Sequence, residues 1–199
     1  MYSTSINNLI EAFKKLPSVG QRSAERFVFH LLKSGKKEVN ELRDSLDILL
    51  AKTKSCEVCW NFDDNSPCHI CADPKRTQET VCVVSDIQDL TALENTREYS
   101  GLYHVLRGQI NTDDTSEEIK NLKIEELKKR LKENTKVKEV ILALSPDLPG
   151  ETTMMYLKKE LSQLRPDLKI TRLARGLPLG SDLQYADEIT IISALKNRT

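Results

Sequence analysis

The chain has 199 residues, 39% of them hydrophobic and 30% charged, with 30 basic side chains against 30 acidic ones. That length allows one domain or two small ones, and the balanced charge excludes a global field that would draw the protein onto nucleic acid or an anionic membrane, so any such binding must be local. No apolar run approaches the roughly 20 residues needed to span a bilayer, and the polar start MYSTSINN lacks the basic and apolar regions of a secretory signal, which gives a cytoplasmic expectation.

Ile6, Leu9, Ile10, Phe13 and Leu16 recur at steps of three and four, the apolar face of a helix that Pro17 should end. A second helix over residues 21–33 carries Ala24, Phe27, Val28 and Leu31 on one stripe and stops at Ser34-Gly35. A third, over residues 38–51, carries Val39, Leu42, Leu46, Leu49 and Leu50, and the three together predict a small helical domain. Residues 56–73 have almost no periodicity and are dense in Cys, Asp, Asn and Pro, a composition that needs an external constraint such as a metal. Beyond them the pattern changes. TVCVVS reads as a strand, IQDLTALENT as a helix, KEVILALS as a strand, residues 154–164 as a helix, LKITRLA as a strand and EITIIS as another. Such alternation predicts an α/β fold with a parallel sheet. Residues 112–118 read as a polar loop and residues 125–132 as helical, with no internal repeat and no extended low-complexity tract.

The sharpest chemical signal is CEVC...CHIC, which sets Cys56 and Cys59 in one C-x2-C pair and Cys68 and Cys71 in another, with eight residues between the pairs. Each pair brings two thiolates to one side of a tight turn, and two such turns close a tetrahedral zinc site. Disulfides or free thiols are the competing reading, disfavoured by a reducing compartment and by the odd total of five cysteines. With four thiolates the coordination is full, so the metal folds the segment and offers no open position for a catalytic water. His69 could replace one ligand, although a solvent-facing role suits it better. Cys82 sits inside an apolar run and reads as core.

The stretch LPSVGQRSAERFVFHLL carries a second signal: helix, short turn, then a new helix starting near Gln21 with Arg22 and Arg26 four residues apart. This is the layout of a helix-hairpin-helix, in which Gly20 lets the backbone approach a phosphate and the free amides of the second helix bind it. An ordinary helical hairpin with solvated arginines is the alternative. Cations are disfavoured near a helix start unless something anionic is there, and that conflict points to a bound anion.

The third signal lies at predicted strand ends. Asp86 follows VCVVS, and Asp147 and Glu151 follow ILALSP, where acids would hold Mg2+ in a nuclease or topoisomerase-like site. A solvated loop acid is the commoner fate of each. The segment RGLPLGSDLQYADE contains glycines but no phosphate loop of the G-x4-G-K-[ST] kind, so it gives little support to an ATPase.

Taken in order, LPSVGQRSAERFVFHLL, the C-x2-C-x8-C-x2-C array, VCVVSDIQDLTALENTREYSGLYHVLRG and ARGLPLGSDLQYADEITI resemble the RecR family of bacterial recombination mediators over nearly the whole chain. The resemblance implies a helix-hairpin-helix domain over residues 1–54, a four-cysteine zinc finger over 55–75, a Toprim α/β domain over 76–172 and a C-terminal Walker B-like segment over 173–199. It implies one structural zinc on Cys56, Cys59, Cys68 and Cys71, and DNA contacts from Gly20, Arg22 and Arg26. It also implies contacts of Asp86, Asp147 and Glu151 with RecO. The family is similar in action to a clamp more than to an enzyme: a homo-oligomeric ring that works with RecO and RecF to load RecA on gapped DNA. The sequence departs from the family pattern at Ser85, where an acid is usual, and at Pro149-Gly150-Glu151, where a Glu-Gly-Glu-like turn is usual. A metal-dependent Toprim enzyme is the rival expectation. It needs a strand-end Glu and an Asp-x-Asp pair, and this chain offers Ser85 and Ser145-Pro146-Asp147. A zinc-stabilised adaptor without DNA contact is a third, which the hairpin argues against.

Overall fold

A computed structural model describes residues 2–111, 113 and 116–198, which divide into two compact units, residues 1–53 and 54–199. The first unit holds three helices, α1 (Thr4–Lys14), α2 (Gln21–Ser34) and α3 (Lys36–Lys52). Its core is small: Ile10, Ala24 and Val28 are buried, with Ile6, Phe13 and Val19 against them. The first helix closes before Pro17, and the turn uses Ser18 at φ 63 before Gly20 starts α2. Gly35, at φ +87, ends α2 and begins α3 in a backbone region where a side chain would be strained. Not one residue of α3 is buried.

The second unit opens with a short antiparallel pair, β1 (Lys54–Ser55) and β2 (Phe62–Asp63), followed by α4 (His69–Ala72). Then come β3 (Thr80–Val84), α5 (Ile87–Thr96), β4 (Leu102–Val105), α6 (Ser116–Asn121), α7 (Ile124–Glu133), β5 (Glu139–Leu142), α8 (Leu148–Leu164) and β6 (Lys169–Arg172). A 3-10 turn (Leu183–Tyr185) and α9 (Glu188–Lys196) complete it. The four longer strands form one parallel sheet in the order β4-β3-β5-β6. Alternation along the strands sorts two cores. Val81, Val83, Val140 and Leu142 join Leu127, Leu131, Leu157 and Leu161 of α7 and α8, whereas Cys82, Val84, Tyr103 and Val105 join Leu90 and three of the zinc-finger cysteines. The sheet therefore separates a helical layer from a layer that includes the cysteine-rich module.

Three elements differ from expectation. LYHV is a strand, β4, that the apolar patterning does not announce: all four residues are buried, and Tyr and His interrupt the run that would mark a parallel strand. EITIIS is not a strand but the body of α9, because Asp187 caps it, its Oδ1 accepting from Thr190 N at 2.8 Å and its Oδ2 from the Thr190 hydroxyl at 2.6 Å. That cap overrides the strand preference of the β-branched run. The polar stretch at 112–118 lies partly outside the described residues, and from Ser116 it is already α6. Among the described residues no helix is long and apolar enough to cross a membrane.

Candidate metal centre and nucleic-acid interface

Both cysteine pairs sit on hydrogen-bonded turns. In the first, Trp60 N donates to Cys56 O at 2.9 Å and Cys56 N to Asn61 O at 2.8 Å; in the second, Ala72 N donates to Cys68 O at 2.9 Å as α4 begins. The sulfur atoms of Cys56, Cys59, Cys68 and Cys71 all lie within 4.8 Å of one another. Cys59 Sγ is 3.5 Å from Cys68 Sγ, and Cys68 N donates to Cys56 Sγ at 3.3 Å. A zinc ion about 2.3 Å from each sulfur would space the sulfurs about 3.8 Å apart, so the donor set fits that ion. Thiols alone share protons unequally here. Hydrogen bonding to Cys59 and then to Cys71 holds Cys68 below the ordinary thiol range, while its bond to Cys68 helps push Cys59 up to about 12, and Cys71 is raised by Cys59 and Cys68 together. A dication at the centre would let all four be thiolates. His69 turns to Asp63: its Nδ1 lies 2.6 Å from Asp63 Oδ2, which also accepts from His69 N at 3.2 Å. The imidazole holds the Asp63 carboxyl below the usual carboxylate range. Cys82 is buried on β3, and burial pushes its thiol up to about 12.

The module is fixed to the sheet by its backbone. Val105 N, on the edge strand β4, donates to Cys59 O at 2.8 Å, and Arg107 reaches back with Nε to Trp60 O at 3.1 Å and Nη2 to the Ser55 hydroxyl at 2.8 Å. The Arg107 guanidinium lies 4.0 Å from the Phe62 ring centroid, and Lys123 Nζ lies 4.4 Å from that of Trp60. At the exit of the module Arg76 forks onto the Glu94 carboxylate of α5 and also donates to Gly101 O at 3.0 Å. Burial alone would raise the Glu94 carboxyl, but the guanidinium overrides it and leaves it below its ordinary value.

In the helical unit Gly20 is the N-cap of α2 and supplies no side-chain bond. Ala24 N is paired with Gly20 O at 3.0 Å, so the amides of Gln21, Arg22 and Ser23 ahead of it have no partner within the helix. A Cβ built on Gly20 would meet nothing within 4 Å and its φ of −86 is ordinary, so the chain's own packing does not demand glycine there. The open space is on the outside. Arg22 on this first turn and Arg26 one turn further along the same face are exposed, and neither enters an ion pair among the described residues; Arg26 lies 5.8 Å from the Phe27 ring centroid.

Asp86 and Asp147 follow the carboxyl ends of neighbouring parallel strands, β3 and β5, whose connections run to opposite sides of the sheet, the position where open α/β sheets bind ligands. Both are exposed and both begin helices: Asp86 precedes α5, with its N–H donating to Asp89 Oδ2 at 3.2 Å, and Asp147 caps α8 by accepting from Gly150 N at 2.8 Å. Gly150 is forced by close approach, since a Cβ there would fall 2.0 Å from Ser145 O. Glu151 points to two arginines instead of solvent: Arg175 contacts its Oε1 and Arg172 Nη1 lies 3.8 Å from its Oε2. Ser85, buried, accepts from Gln109 Nε2 at 2.8 Å. The three acids do not converge. Among the described residues the four cysteines are the one cluster of His, Cys, Asp or Glu close enough to hold a metal. The roles of Arg76, Arg107, Arg172 and Arg175 carry no spacing signal, since their partners come from distant segments.

Comparison with known proteins follows this division. The family models for the RecR helix-hairpin-helix, the RecR four-cysteine zinc finger domain, the Toprim domain and the RecR C-terminal segment match residues 6–50, 53–73, 79–174 and 176–199. Curated relatives include the recombination protein RecR of Bifidobacterium longum subsp. infantis, 46% identical over 99% of this chain and 96% of its own length. RecR of Moorella thermoacetica is 46% identical over 99% of this chain and 97% of its length, and that of Clostridium perfringens is 43% identical over 100% and 98%. A helix-hairpin-helix, a four-cysteine finger for one structural zinc and a Toprim sheet, matched in that order, place the chain in the RecR family of recombination proteins, whose work lies in DNA repair and recombination.

Proposed function

We propose that the chain is a non-catalytic DNA clamp that assembles as a homo-oligomeric ring and, with RecO and RecF, helps load RecA on gapped or single-stranded DNA. Zinc held by Cys56, Cys59, Cys68 and Cys71 keeps the finger folded. Gly20, Arg22 and Arg26 grip a phosphate, and Asp86 and Asp147 present an acidic edge to a basic partner such as RecO. Glu151 belongs to that edge as well, but its charge is largely offset by Arg172 and Arg175. The observation that carries the reading is the start of α2: free amides, a glycine with open space above it, and two exposed arginines, one turn apart on one face, without ion-pair partners among the described residues. Phosphate-directed contacts hold DNA without reading bases. Arg22→Ala with Arg26→Ala should therefore weaken binding to all sequences alike and flatten the log-log salt dependence by about 0.9 for each duplex phosphate that is no longer neutralised. Wild-type affinity and salt slope in that variant, with assembly intact, would defeat the reading. Robust Mg2+-dependent cleavage by the pure protein, abolished by Asp147→Ala, would favour the Toprim enzyme instead.

A further inference from the structure

The first cysteine pair lies between two residues that one guanidinium holds. Ser55 immediately precedes Cys56 and Trp60 immediately follows Cys59, and Arg107 donates to both, from Nη2 to the Ser55 hydroxyl at 2.8 Å and from Nε to Trp60 O at 3.1 Å. Beside this fork Val105 N donates to Cys59 O at 2.8 Å. The last residue of β4 and the arginine two positions beyond it therefore fix the turn of Cys56 and Cys59 at three points. The backbone of Arg107 is an unusual one for its residue type. Its φ is 64, and that of Trp60, whose carbonyl it holds, is 65, in the left-handed region that glycine enters freely and larger residues rarely do. Leu106 N on Val84 O at 2.9 Å and Gly108 N on Ser85 O at 3.1 Å hold the chain in this conformation. If the position only had to turn the chain, glycine would do so without strain, so the side chain is what the strain serves.

Charge gives a second reason for an arginine here. Four thiolates around one zinc leave two net negative charges, and Cys56, Cys59 and Cys68 are fully buried, where such charge is expensive without a cation nearby. Among the described residues no carboxylate forms an ion pair with Arg107; burial holds its guanidinium below the ordinary range, and Cys59 pulls it the other way, as a nearby anion does. We propose that Arg107 is a positioning residue of the zinc centre, which holds Cys56 and Cys59 at their metal-binding spacing by gripping both flanks of their turn and offsets part of the charge of the metal-thiolate group. A residue outside the cysteine array thus sets the metal affinity, and the finger owes part of its hold on zinc to the sheet edge on which it sits.

The test compares the zinc-loaded wild-type protein with Arg107→Gly, which suits the backbone, and Arg107→Met, which keeps an apolar stem but has neither donors nor charge. Zinc affinity is read by equilibrium competition with a chromogenic chelator. Both variants should bind zinc about tenfold more weakly, the lower end of what residues that hold metal ligands in place contribute. Glu94→Gln serves as the control, because it loosens the other tie of the module to the sheet, Arg76 on Glu94, without touching the turn of Cys56 and Cys59. It should lower the melting temperature and leave zinc affinity near that of the wild type. Wild-type zinc affinity in either Arg107 variant would overturn the proposal. A loss of affinity in Glu94→Gln as large as in Arg107→Met would assign the effect to docking of the module in general and overturn it as well. Should Arg107→Gly not fold, as judged by melting, Arg107→Met decides by the same criterion.

Discussion

Single side chains in this protein do their work through partners far away in sequence, and His104 shows what that means for pH. It is fully buried on β4; its Nε2 donates to Lys123 O at 2.7 Å, tying the strand to the start of α7, while Nδ1 has no partner among the described residues. Burial pushes the imidazole down to about 3, so the native state keeps it neutral. The unfolded chain binds a proton near pH 6.5 and the folded one does not. Unfolding therefore takes up a proton between those values, and the contribution is present in full above about pH 6.5 and is lost as pH falls toward 3. The limiting slope from this one group is about 1.4 kcal/mol per pH unit. Melting temperature should decline on acidification below about 6.5, and more shallowly in His104→Gln, which carries no titrating ring. An identical decline in both proteins would show that other groups control acid stability. None of this is visible in YSGLYHVL as a string, because the carbonyl that fixes the ring belongs to a residue 19 positions on.

At the scale of elements, the legible parts were those whose signal is local. The periodic stripe of α2, the short apolar run of β3 and the C-x2-C spacing each depend on neighbours a few residues apart, and each formed as read. The strand β4 and the helix α9 were not legible in the same way. β4 takes its strand character from pairing with β3, Val81 against Leu102 and onward, and α9 its helical character from a two-bond cap at Asp187. The site divides along the same line: the cysteines announce themselves, whereas the engagement of Glu151 by Arg172 and Arg175 requires the fold. The finger has little core except what it shares with the sheet, through Cys56, Cys59, Cys68 and Ile70 packed with Val84, Tyr103 and Val105. Loss of its metal should thus loosen one whole face of the sheet. Cys59→Ser is expected to lower zinc content below one per chain and to cost several kcal/mol out of a binding free energy on the order of 10 kcal/mol, read as a large drop in melting temperature. An unchanged melting temperature in that variant would show that the finger folds without its metal.

For the molecule as a whole, the proposed clamp raises the question of how a chain with no net charge would hold DNA, and the exposed face of α3 bears on it. Val39, Leu42, Leu46 and Leu49 follow steps of three, four and three, the spacing of a helix seam made to meet another helix, yet each is at least 38% exposed. Each of these leucines, about half exposed, forgoes about 1 kcal/mol of burial, so the arrangement makes sense if a second copy covers it. The other unit also exposes apolar side chains, Ile189, Ile192 and Leu195 of α9 and Leu179, Leu183 and Tyr185 before it. Two different apolar faces per chain would suit a closed ring of pairs, whereas one face gives only a dimer. Assembly of that kind would multiply Arg22 and Arg26 by the number of chains, and a weak local grip would become a strong one through effective concentration. Leu46→Glu, which touches no arginine, should lower the native mass, reduce DNA affinity by tenfold or more and flatten the salt slope, because fewer phosphates are met at once. The same mass as wild type, measured with and without DNA, would remove α3 as the seam; a lowered mass with undiminished affinity would show that one chain's arginines suffice and that the clamp needs no ring.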